Sequence, residues 1–146
     1  MSKKIRNNII KVAESCIDKP FHHQAYGPDF FDCIGLVKYV MRKNNLFDEN
    51  LDIKNYGREP DGKLIAKIMS ENFDITTLEN AKSGDIILFK FINNPQHFSF
   101  LKIESDDSKS MIHAYGDPSI NRVVKHNLDD KWINRIVCIY KIRGLK

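Results

Sequence analysis

At 146 residues, with 42% hydrophobic and 29% charged side chains, the chain has the profile of one soluble domain, residues 1–146, able to bury roughly 70% of its unfolded surface. A net charge of +4 would ease approach to anionic polymers, but it selects none of them, and nucleic acid is not expected as a partner. No apolar run nears the roughly 18 residues of a membrane span, so membrane insertion is not expected either.

Residues 1–8 begin with positive charge, as a signal peptide does, but Lys11 and Glu14 interrupt the stretch where a hydrophobic region should follow. The start therefore reads as mature sequence, and the chain is expected to stay in the cytoplasm unless a machine or particle exports it. Ile5, Ile9, Val12, Ala13 and Cys16 recur at helical spacing and predict a first helix over 3–17, ended by Asp18, Lys19 and Pro20. Residues 21–31 hold Gly27, Pro28, three Phe, one Tyr and the adjacent pair His22 and His23. That stretch follows neither period and reads as a loop shaping one wall of a site. A second helix begins near Cys33, with Leu36, Val37, Val40 and Met41 on one stripe and a stop at Asn44 and Asn45. Gly35 in its first turn permits close approach of a ligand or strand.

A third helix is expected from Pro60 to about Asn72, through Leu64, Ile65, Ile68 and Met69. The texture then turns to strands, at 86–91, 97–104, 110–115, 122–126 and 136–142, with a turn at 82–85 before the first. Helices followed by five short strands predict an α+β domain, the second helix packed on an antiparallel sheet.

Three cysteines without a CxxC pair argue against both a disulfide framework and a zinc ribbon. Cys16 and Cys138 fall in apolar surroundings and read as small buried hydrophobes. Cys33 differs, because a helix N-terminus carries unpaired N–H groups and partial positive charge, which should lower its pKa and later hold an oxyanion. If 97–104 and 110–115 form a hairpin turning at Ser105, residues whose numbers sum to 210 face each other, which sets His97 directly opposite His113. His97 would then take the thiol proton, and His113 would orient its ring through a ring-to-ring hydrogen bond.

Other readings of the same residues stand beside this one. His97 and His113 can be ordinary sheet residues and Cys33 a packed thiol. Cys33, His97 and His113 can also form an open zinc site. His22, His23 and His126 read as surface or loop residues, although His23 is near enough in sequence to Cys33 to line a cleft. The aromatic side chains Phe21, Tyr26, Phe30 and Phe31 read as core.

The block Asp32-Cys33-Ile34-Gly35-Leu36-Val37 resembles the Asp-Cys-x-Gly-hydrophobic signature of the NlpC/p60 cysteine peptidases. Ser83-Gly84-Asp85 is similar to that family's Pro-Gly-Asp strand start, His97-Phe98-Ser99-Phe100 to its His-Val-Gly-Ile strand, and Met111-Ile112-His113-Ala114 to its hydrophobic-His-Ala strand. Pro20-Phe21-His22-His23-Gln24 and the segment from Trp132 resemble the branch found in phage tails and gene-transfer particles.

The resemblance implies a papain-like fold, no cofactor or metal, a thioester mechanism, and cleavage of peptidoglycan stem peptides between D-γ-glutamyl and a diamino acid. Carried over by position, Cys33 is nucleophile, His97 base and His113 the third polar residue, while Asp32, Phe21 and His23 line the substrate site. It also implies phage-tail or gene-transfer-particle proteins as partners. The sequence departs from the pattern at Phe21, where the family has Tyr, at Ile34 for Ser, and at Ser99 for Gly. Two alternatives keep the same residues: a thioester-forming amidase or acyltransferase, and a non-catalytic structural piece of a tail.

Overall fold

Arg6, Ile9, Ile10 and Ala13 share the buried face of α1, Ser2–Ser15, and the helix gives way to a turn that reaches a left-handed Asp18 before Pro20. The computed structural model describes residues 2–46, 62–91, 94–143 and 145. Helix α2, Cys33–Lys43, buries Ile34, Leu36, Val37, Val40 and Met41. Helix α3 spans Gly62–Asn72, and its expected start at Pro60 lies outside the described residues.

The strands are β1, Phe73–Thr76; β2, Ile86–Phe91; β3, Asn94–Ile103; β4, Lys109–Tyr115; β5, Arg122–Asn127; and β6, Ile136–Ile142. A one-turn helix, α4, covers Asp130–Ile133, its first turn capped by Asp129, whose Oδ1 accepts from the Trp132 N–H. All pairings are antiparallel, in the order β1-β6-β2-β3-β4-β5. Among the described residues the sheet therefore has six strands, where about five were expected. The addition, β1, has only four residues, with apolar Phe73 and Ile75 alternating with Asp74 and Thr76, a pattern too short to separate from the end of α3.

Strand alternation gives the sheet two apolar faces. Leu88, Phe98, Phe100, Ile112 and Ala114 pack with α1, α2 and α3, whereas Ile87, Phe89, Leu101 and Met111 pack with Trp132 and Leu128. Helix α1 is pinned to the start of β2 by a buried ion pair: Arg6 Nη1 donates to Asp85 Oδ1 at 2.7 Å, and Asp85 Oδ2 also accepts from the Lys82 N–H in the turn. No helix among the described residues is long and apolar enough to cross a membrane.

The β3–β4 register corrects the sequence reading. Phe100 faces Ile112 and Ile103 faces Lys109, so facing numbers sum to 212, and continuing that register sets Tyr115 opposite His97. The turn centres one residue later than expected, closed by the Glu104 N–H donating from one side to the Ser108 carbonyl at 2.8 Å. Because the slip changes each partner by two, it preserves which face every side chain occupies. His97 and His113 thus become diagonal neighbours on one face, still within reach of two imidazoles.

Candidate active site

Local chemistry at the head of α2 sets the cysteine. Asp32 is the N-cap, with extended backbone, and its Oδ1 accepts from the Gly35 N–H at 2.6 Å while Oδ2 accepts from the Gln24 N–H at 2.7 Å. One carboxylate therefore starts the helix and ties the 21–31 loop to it. Asp32, expected among the substrate contacts, is 3% exposed, and both its oxygens accept from backbone N–H groups. Gly35 meets the same loop: a Cβ there would lie 1.8 Å from the Ala25 carbonyl oxygen, so the close approach foreseen at Gly35 is made by this loop.

Cys33 is half-buried and lines a cleft of about 210 Å³ with Phe21, His23, Phe91, His97, Ala114, Tyr115, Gly116 and Asp117. The thiol and the imidazoles come from opposite layers. Cys33 packs against the helix-side core, whereas His97 and His113 lie against Trp132 on the other face, with ring centroids 5.8 and 5.2 Å from the indole. Cys33 and His97 reach one cleft at the end of the β3–β4 ladder, whose paired residues begin at Phe100 and Ile112, while His113 is fully buried against His97; the Phe98 N–H beyond that end is turned to the Cys33 sulfur. Ser99 supports the same junction, its hydroxyl within reach of the Phe100 and Ile112 carbonyls at 2.9 and 3.2 Å. A larger depression of about 790 Å³, lined by Lys3, Lys4, Lys11 and Lys43, contains none of these groups.

His97 Nε2 and His113 Nδ1 are 2.6 Å apart, and His113 Nε2 and His126 Nε2 are 2.8 Å apart. The expected ring-to-ring contact is thus present, and His126, read from the sequence as a surface or loop residue, extends it. Its position was encoded in register: β4 and β5 pair His113 with Val124, so His126 is the next residue on the same face and again a diagonal neighbour. Trp132 packs against all three rings, and the Arg135 guanidinium lies over the same indole at 5.4 Å from its centroid.

The electrostatics overturn one expectation. Burial, and after it the Asp32 carboxylate, push the Cys33 thiol up to about 12, outweighing the N–H groups of Phe98, Ile34 and Cys33 that favour a thiolate. The helix N-terminus does not win here, because burial outweighs it and the same capping carboxylate that builds it adds negative charge beside the sulfur. Burial first, then His126 and Arg135, bring His97 down to about 3, and burial and its two histidine neighbours hold His113 far below the usual imidazole range. The resting pair is a neutral thiol with a neutral imidazole. Among the described residues no group of three or more His, Cys, Asp or Glu side chains has the arrangement of a metal site; the histidines share edges in a row and do not converge on a point.

A helix-borne cysteine set against a histidine-bearing antiparallel sheet defines a papain-like α+β fold. The NlpC/P60 family profile matches residues 18–140, and the chain belongs to the NlpC/P60 family. No curated protein is matched by the sequence. Among solved structures, the NlpC/p60 domain of the peptidoglycan hydrolase SagA is similar with a TM-score of 0.67 at 17% identity, over 94% of this chain and 98% of that one. An N-acetylmuramoyl-L-alanine amidase from Bacteroides uniformis is similar at 0.63 and 13%, over 94% and 97% of the respective chains. A lipoprotein-like NLP/P60 protein from Staphylococcus aureus gives 0.64 and 18%, over 95% of this chain; the chain spans 41% of that longer protein.

Proposed function

We propose that the protein is a cysteine endopeptidase of peptidoglycan stem peptides, cleaving between D-γ-glutamyl and a diamino acid. The observation that carries this reading is the cleft shared by Cys33 and His97, with His113 buried against His97 at 2.6 Å. Family membership and the SagA likeness support the substrate class.

In this mechanism the Cys33 sulfur attacks the scissile carbonyl as its proton passes to His97. Transfer accompanies bond formation, because an isolated thiolate is disfavoured in the resting site. N–H groups at the start of α2 hold the oxyanion. His97 then protonates the leaving amine, and water, deprotonated by the same ring, releases the acyl group from the thioester. His113 keeps the His97 ring in place. Phe21 and His23 line the substrate side of the cleft, and Phe21, lacking a hydroxyl, contributes an apolar wall that lies against Gly116.

The test is digestion of purified muropeptides with mass analysis of the fragments. Wild type should release fragments ending at D-γ-glutamyl, and Cys33→Ala should release none while remaining folded; cleavage by that variant at the wild-type rate would end the assignment. The same thioester would serve an amidase or an acyl transfer to an amine, and the likeness to the Bacteroides amidase favours keeping that second reading; fragments cut at the muramoyl amide would select it. For delivery we propose a phage tail or gene-transfer particle, on the resemblance of residues 20–24 and of the Trp132 segment. The protein should then co-sediment with such particles, and recovery solely as free cytosolic chain would oppose this.

A further inference from the structure

His126 contributes to the site through hydrogens. Its Nδ1 lies 2.9 Å from the Asn127 carbonyl oxygen, which can only accept, so the ring carries a hydrogen on Nδ1, and its neutral form presents a bare Nε2. The 2.8 Å contact with His113 then requires His113 to donate from Nε2, leaving its Nδ1 bare. The 2.6 Å contact with His97 in turn requires His97 to donate from Nε2. Joined edge to edge in this way the three rings share one hydrogen per contact, and a single carbonyl at the outer end determines every tautomer in the row. The ring at the inner end is left with a lone pair on Nδ1.

From this geometry we infer that His126 is a positioning residue that, through His113, fixes His97 in the Nε2–H tautomer and so reserves His97 Nδ1 as the base for Cys33. The inference rests on the proposed thiol chemistry, but the tautomers can be read without any substrate. Among the described residues no carboxylate is within hydrogen-bond reach of the row, so the orienting group that an Asp supplies elsewhere is replaced by two further imidazoles and a peptide carbonyl. Trp132 lies against all three rings and keeps them from rotating out of line.

The test uses the full chain with 15N-labelled histidine. Long-range 1H–15N correlation at pH 7.5 should show His97 and His113 protonated on Nε2 and His126 on Nδ1; His113 protonated on Nδ1 in the wild type would overturn the inference whether or not the protein cleaves wall peptides. In muropeptide assays His126→Phe, which offers no acceptor, should lower kcat at least about tenfold with KM within about twofold. His126→Gln should recover most of that loss, because its amide oxygen can accept from His113 while its NH2 donates to the Asn127 carbonyl. Equal kcat for His126→Phe and wild type would overturn the proposal, as would loss in His126→Gln as deep as in His126→Phe. A wild type inactive on every wall peptide would defeat the proposed function and leave the tautomer result to decide this one.

Discussion

Acidification is the perturbation that reads the histidine row most directly. Burial holds His97 at about 3 and His113 lower than the usual range, while in the unfolded chain each binds a proton near pH 6.5. Between those limits the unfolded state carries more protons than the native state, so stability is complete above about pH 6.5 and is lost as pH falls toward about 3. Each such group costs about 1.4 kcal/mol per pH unit, so moving from pH 7 to pH 5 removes about 2 kcal/mol for His97 and roughly 4 kcal/mol for the pair. Against a total of about 5–15 kcal/mol that is a large share. In urea unfolding, with a slope of about 2 kcal/mol per molar, the midpoint should fall by roughly 2 M over this range. His113→Phe removes one of the two groups, and its pH slope should be about half that of wild type, whatever its absolute stability. A midpoint that is flat from pH 7 to pH 5, or folded-state His97 resonances that titrate near 6.5, would refute the reasoning.

Three further outcomes follow from the head of α2. Alkylation of Cys33 by iodoacetamide should be slow at neutral pH and climb about tenfold per pH unit through pH 10, because its thiol is held up to about 12; a plateau below pH 8 would mean a preformed thiolate. Asp32→Asn removes the negative charge beside the sulfur, so labelling at pH 8 should quicken severalfold, while the amide keeps the cap at Gly35 but leaves the Gln24 N–H without its acceptor, at a cost of about 1–3 kcal/mol in thermal unfolding; unchanged labelling would show that the carboxylate is not felt at the sulfur. Gly35→Ala forces a methyl group to 1.8 Å from the Ala25 carbonyl, so the loop must move, with a loss of about 3 kcal/mol and a Tm lower by roughly 10 °C; a Tm within about 2 °C of wild type would contradict the packing.

Much of this molecule is legible in local sequence because the forces involved act within a few residues. The stripe of Leu36, Val37, Val40 and Met41, the cap at Asp32 and the alternation of the strands each follow from neighbours along the chain, and they put Cys33 at a helix start and His97 and His113 on one sheet face. Even an incorrect turn centre left the face unchanged, since side chains alternate with a period of two. Other features depend on distant partners. The effect of the helix terminus on Cys33 was reversed by burial and by the fate of the Asp32 carboxylate. His126 joined the site only because β5 pairs with β4 in a register that sets it diagonal to His113, and a one-residue slip would have turned it to the opposite face. Periodicity chooses which side of a strand a residue occupies; only the assembled sheet chooses its neighbour, and the proton chemistry of this cleft is a property of neighbours.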